Sequence, residues 1–87
     1  MLKVSVISPE RVLFEGEATS VVAPAFDGEV GILSHHAPMV TLLGRGVLRL
    51  AGAAGEQRFR VEGGFLQVAD DEVRVVTERA SVEATAV

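Results

Sequence analysis

The sequence predicts an all-β fold of about eight to ten short strands in two packed sheets. Three observations carry this reading. Apolar residues recur at every second position, a spacing that lines one face of a strand and is incompatible with a helical stripe. Gly, Pro, Asp and Ser interrupt the apolar segments at intervals of roughly eight to ten residues, as in sandwiches and barrels. The chain has 87 residues, of which 48% are hydrophobic, enough for one core and too few for two domains.

Taken in order, "LKVSVI" (residues 2–7) alternates and stops at Pro9, "VLFEG" (12–16) stops at Gly16, and "EATSVVA" (17–23) stops at Pro24. "FDGEVGIL" followed by "HHAPMV" reads as a projecting loop on a rigid scaffold. In "GVLRLA" Leu48 and Leu50 share a face opposite Arg49, and in "QRFRVE" Phe59 and Val61 oppose Arg58, Arg60 and Glu62. The intervening "GAAG", Gly52 to Gly55, tolerates positive φ and makes the two segments a hairpin. Gly63 and Gly64 mark a bulge or a point where backbones crowd. Leu66 and Val68 then alternate with Gln67, Asp70-Asp71 turn the chain, and Val73 and Val75 alternate with Arg74 on the way back.

Composition removes several function classes. A formal net charge of -4 opposes binding to nucleic-acid phosphates, which relies on clustered Lys and Arg. The absence of cysteine excludes disulfides, zinc-thiolate centres and thiol nucleophiles. No apolar run approaches the roughly 18 to 20 residues of a membrane-spanning helix, and "MLKVSVISPE" lacks the apolar region of a signal peptide. The only lysine, Lys3, falls in the first strand, which excludes a biotin- or lipoate-type carrier with its lysine on a hairpin tip.

The segment richest in chemical groups is "GEVGILSHHAP", residues 28–38. A metal held by His35 and His36 is disfavoured because neighbouring side chains on a strand point to opposite faces, and Asp27 and Glu29 complete no known ligand spacing. Ser34 beside a histidine lacks both the geometry of a nucleophile pair and the Gly-x-Ser-x-Gly elbow. Acid-base work by Asp27 with Glu29 needs a concave pocket that so small a domain scarcely builds. Gly28 and Gly31 are followed by no Lys-Ser or Lys-Thr, so a phosphate loop is absent. By residue chemistry alone, Glu29 reads either as a solvated turn residue or as part of a docking loop.

The order "GEVGILSHHAPMVTLL", then "GRGVLRL", then "FRVEGGFLQVADDEVRVVTERA" resembles the amino-terminal β-sandwich domain of the epsilon subunit of F-type ATP synthases, called delta in mitochondria. The resemblance runs from about Leu2 to Ala80, which makes residues 1–80 the sandwich domain and 81–87 a short tail. It implies a flattened sandwich of ten strands and a non-catalytic rotor subunit of the central stalk. Such a subunit binds gamma and the c-subunit ring and couples proton-driven rotation to ATP synthesis in the catalytic head of alpha and beta subunits. Gly28, Glu29 and Val30 match the loop that meets the c ring; Ser8, His36 and Thr41 match positions facing gamma. No cofactor, metal or catalytic residue is implied. The membrane is reached only through the c ring, at the cytoplasmic face of a bacterial plasma membrane or in an organelle-encoded equivalent.

Two departures stand out. Ser34 and His35 replace the usual Pro followed by Gly or Asn before His36-Ala37-Pro38, so His35 inherits no role. With ordinary imidazole chemistry, either histidine would make gamma docking pH-sensitive. Only "SVEATAV" follows Ala80, too short for the family's carboxy-terminal helical hairpin, given a mean helix of about 11 to 12 residues. The expectation is coupling without helix-mediated inhibition. The competing class is an unrelated β-sandwich adaptor, distinguished by partners that include neither gamma nor c subunits.

Overall fold

The structure, a computed structural model, describes residues 1–53 and 55–82. Ten strands follow one another: β1 (Leu2–Ile7), β2 (Val12–Ala18), β3 (Ser20–Ala25), β4 (Gly28–Leu33), β5 (Met39–Leu42), β6 (Arg45–Gly52), β7 (Gly55–Glu62), β8 (Phe65–Ala69), β9 (Glu72–Val76) and β10 (Arg79–Val82). No helix occurs among the described residues. Valine and leucine at alternate positions dictate this, because branched side chains pack on a pleated surface and one face of each strand must leave water.

The strands form two five-stranded sheets, one ordered β2-β1-β9-β8-β5 and the other β10-β7-β6-β3-β4. Neighbours pair antiparallel except β1 with β9, which run parallel from Lys3 opposite Glu72 to Ile7 opposite Val76. The inner faces supply the core: Leu2, Val4, Val6, Leu66, Val68, Val73 and Val75 from the first sheet meet Val21, Ile32, Leu48, Leu50, Phe59 and Val61 from the second. Phe14 sets its edge against Phe59, with ring centroids 6.1 Å apart and planes inclined by 62°. Gly16 leaves room for that ring, since a Cβ there would lie 3.2 Å from Phe14 Cζ.

Two readings differ from the sequence expectation, each for a physical reason. β2 continues through Gly16 to Ala18, and the chain changes sheets at Thr19, whose N–H and hydroxyl both donate to Ala51 O at 2.7 and 3.0 Å. The expected projecting loop over "FDGEVGIL" and "HHAPMV" is mostly strand. β4 pairs with β3 from Gly28 opposite Ala25 to Leu33 opposite Ser20 and buries Ile32, while Gly28 and Gly31 interrupt the alternation that would announce it. β5 pairs with β8. The part of the tail beyond Val82 lies outside the described residues, with β10 ending at Val82.

The chain passes between the sheets five times, at β2–β3, β4–β5, β5–β6, β7–β8 and β9–β10. Several of these passages meet at one end of the sandwich and are stitched by backbone hydrogen bonds. Leu43 N–H donates to Gly64 O at 2.9 Å, Gly63 N–H to Gly44 O at 3.2 Å, and Gly44 N–H to Pro24 O at 2.8 Å. Thr77, a buried polar side chain, donates its hydroxyl to Arg79 O at 2.8 Å, and its N–H reaches Ile7 O at 2.9 Å. At the opposite end, Asp71 Oδ1 accepts the N–H of His35 at 2.6 Å, tying the β8–β9 turn to the β4–β5 connection. Asp70 and Asp71 have φ of 50° and 59°, the conformation that a tight hairpin turn demands and that Asp tolerates.

Gly64 is the strictest position. Its φ is +98°, and a Cβ there would overlap Val76 O and lie 2.7 Å from Thr77 Cα, both backbone atoms. Gly64→Ala is expected to lower unfolding free energy by about 2–4 kcal/mol in urea titration, through steric overlap and forced φ. Gly31→Ala, where a Cβ meets nothing within 4 Å, changes it by under about 0.5 kcal/mol. Asp71→Ala strips the acceptor from His35 N–H and is expected to cost about 1–2 kcal/mol in the same assay, with Asp71→Asn retaining most of the stability.

Candidate docking surface

Glu29 follows the two-residue Phe26-Asp27 turn between β3 and β4, and Gly28 opens β4 with φ of 135°. Strand alternation directs Glu29 to the outer face of its sheet and Val30 inward, where it packs against the core. Of the three residues matched to a c-ring loop, Gly28 and Glu29 are exposed and Val30 is half-buried. The Glu29 carboxylate lies 3.4 Å from the guanidinium of Arg49, on β6. Both side chains are open to water, so this ion pair orients the carboxylate while contributing little to stability.

Ser8 lies in the turn between β1 and β2, where its N–H donates to Arg11 O at 2.9 Å and Arg11 N–H returns a bond to Ser8 O at 3.3 Å. Thr41 is half-buried on β5 between exposed Val40 and Leu42 and pairs with Leu66. His36 precedes β5; its N–H donates to Leu33 O at 3.2 Å, and its Nδ1 lies 2.7 Å from Ala37 O. Ser8 and Glu29 therefore sit at the end of the sandwich that carries Gly64 and Thr77, and Thr41 lies near it. His36 sits at the other end, beside the Asp70-Asp71 turn. His35, with φ of 67°, faces Asp71, its Nδ1 3.9 Å from Oδ2. Among the described residues no three His, Asp or Glu side chains form a group able to hold a metal ion, and no helix is long and apolar enough to cross a membrane.

Registry produces a feature that reading each strand alone missed. On the outer face of the first sheet, Leu42 stands opposite Phe65, Phe65 opposite Val76, Val76 opposite Ile7, and Ile7 opposite Val12. Five apolar side chains, one per strand, thus cross the entire sheet in a single row. Leu42 is 62% exposed, Val12 54% and Phe65 38%. A bulge puts Val12 in line, because the pairing shifts between Val6 and Ile7 and Leu13 turns inward to the core. Val40, 69% exposed, adjoins the row on β5, and towards β1 the same face turns polar, with Lys3, Glu15, Glu17, Glu72 and Arg74 around a shallow depression. The outer face of the second sheet carries charge instead, including Arg45 paired with Glu62 at 3.7 Å and Arg58 with Glu56 at 2.7 Å.

An exposed apolar row that crosses a whole sheet is a feature of a surface suited to being covered. Comparison with known proteins gives that feature a family. Residues 1–83 match the model for the ATP synthase delta/epsilon chain β-sandwich domain. The chain is 44% identical over 82 residues to an ATP synthase epsilon chain of Leptospira borgpetersenii, covering 94% of this chain and 65% of that one. It is 51% identical over 75 residues to the ATP synthase epsilon chain of Rhodopirellula baltica, covering 86% of this chain and 59% of that one. It spans less than two thirds of the length of these relatives. Among solved structures, a chain of the Euglena gracilis mitochondrial ATP synthase, a complex of OSCP, F1 and c ring, matches the fold with a TM-score of 0.85 at 23% identity, over 93% of this chain and 52% of that one. A chain of the Tetrahymena thermophila mitochondrial ATP synthase central stalk and c ring matches with a TM-score of 0.73 at 17% identity, over 92% of this chain and 65% of that one. In sequence as in architecture, the chain belongs to the family of ATP synthase delta/epsilon-chain β-sandwich domains.

Proposed function

We propose that this chain is the rotor-stalk sandwich of an F-type ATP synthase, a non-catalytic coupling that binds gamma on one side and the c-subunit ring on another. The observation that carries the reading is the apolar row from Leu42 to Val12. Covering about 25 cal/mol per Å² of apolar surface provides the affinity, and the flanking polar groups fix the orientation. Ser8 adjoins the row at Ile7 and belongs to the gamma-facing surface; Thr41, half-buried next to Leu42 and on the inner side of β5 with Leu66, supports that surface from behind, with His36 shaping the far edge of β5. Gly28 and Glu29, at the same end, meet the polar loops of the c ring, and Val30 supports them from beneath. The membrane is reached through the ring alone, from the cytoplasmic side of a bacterial plasma membrane.

The mechanical role follows from packing. Torque passing from ring to shaft has to cross this domain without being absorbed, and an interior as dense as an organic crystal yields little. Chain crossings between the two sheets add covalent ties to that packing. The chain turns over no substrate itself.

Affinity purification of the tagged chain from cells is expected to recover gamma and c subunits; a partner set lacking both would instead favour an adaptor role. Val12→Asp combined with Leu42→Asp, at two exposed positions, is expected to weaken gamma binding by at least about tenfold in calorimetric titration. Ser8→Ala and Thr41→Ala change it by about threefold or less, as expected for a polar group at an interface rim and for one behind the contact surface. Unchanged gamma affinity in the double Asp variant would remove the row from the interface.

A further inference from the structure

The turn that presents Glu29 also presents Phe26, which is 66% exposed. No expectation from the sequence used this residue. A phenyl ring left in water at a hairpin tip is costly to leave uncovered, and this tip is held in place. Phe26 N–H donates to Leu42 O at 3.0 Å, and Gly44 approaches so closely that a Cβ there would lie 3.6 Å from Phe26 Cα and 3.0 Å from Ala25 O. Exposed Asp27 and Glu29 flank the ring in sequence, and Glu29 is already engaged by Arg49 at 3.4 Å.

We infer that Phe26 is the anchor of the c-ring contact and that the carboxylates of Asp27 and Glu29 serve only to orient it. This rests on reading the Glu29 turn as the site that meets the ring. The ordering of energies follows from the surroundings. A solvent-exposed carboxylate with an internal cationic partner gains little from a second one. An aromatic ring pre-positioned on a pinned turn gains the full benefit of desolvation and loses little freedom on binding. The complementary surface is therefore an apolar recess in the ring's loop layer, rimmed by cationic or N–H donor groups that accept the two carboxylates. Through the Phe26–Leu42 hydrogen bond this contact is continuous with the apolar row, so one end of the domain presents a single surface to ring and stalk.

The test is titration of the full chain, in complex with gamma, onto detergent-solubilised c ring, with urea midpoints verifying that each variant is folded. Phe26→Ala is expected to weaken binding by at least about tenfold, and Phe26→Tyr, which keeps the ring, by under about threefold. Glu29→Gln is expected to change it by under about threefold. Full affinity in Phe26→Ala together with loss in Glu29→Gln would overturn the inference while leaving the ring contact intact. Failure of the unsubstituted chain to bind the ring would overturn the reading of the turn itself. Phe26-dependent binding to protein-free vesicles of anionic phospholipid, with no preference for the ring, would assign the anchor to lipid and likewise overturn it.

Discussion

The backbone at Gly64 passes so close to Val76 and Thr77 that no side chain fits between them, and the joining of the two sheets depends on that approach. Around it, the passages from β5 to β6, from β7 to β8 and from β9 to β10 share hydrogen bonds through Leu43, Gly44, Gly63 and Thr77. Thr77 is the polar residue buried at this junction, and its hydroxyl and N–H are both satisfied, so the junction carries no unpaired group that would loosen it. Everything ascribed to the surface at this end, the Phe26 turn, Glu29, Ser8 and the apolar row, stands on that junction. These groups are fixed by backbone contacts and not by long side chains.

The two outer faces answer to different physics. On the second sheet, Arg45, Arg49 and Arg58 each have a carboxylate within 4 Å, on the neighbouring strand, two strands away across β3, and on the same strand respectively, and all of these pairs are open to water. These ion pairs are screened by physiological salt. On the first sheet the apolar row has no internal cover. Leaving Leu42, Val12 and Phe65 in contact with water is unfavourable in the isolated chain and becomes favourable when a partner removes them from it. The two faces thus differ in kind: one presents a continuous apolar row, the other mainly paired charges.

Much of the fold was legible because alternation is a local signal. Leu48 and Leu50, Phe59 and Val61, Leu66 and Val68, and Val73 and Val75 announce their strands and are all buried. β4 was hidden because Gly28 and Gly31 occupy outward or edge positions where a side chain would otherwise complete the pattern, leaving Ile32 as its one fully buried residue. The position of Glu29 beside a turn was readable from Asp27-Gly28, but its partner Arg49 is twenty residues away and belongs to a strand whose neighbour no local pattern reveals. The apolar row is the clearest case of information held in registry. Each member looks like an ordinary surface residue on its own strand, and the five become a surface only when pairings between distant segments, one of them parallel, bring them into line.

That parallel pairing has a consequence for how the molecule is made. β1 begins at Leu2, yet its neighbour on one side is β9, which ends at Val76, and β9 in turn links β1 to β8 and β5. A growing polypeptide can close the β1–β2 hairpin early, but the centre of the first sheet stays open until β9, some seventy residues later, has been made and has cleared the exit tunnel. Strand pairing across so long a stretch of chain is slow to nucleate, and the apolar inner edge of β1 waits unprotected in the meantime. Closure of the first sheet is therefore timed by the arrival of β9 and not by the formation of its first hairpin.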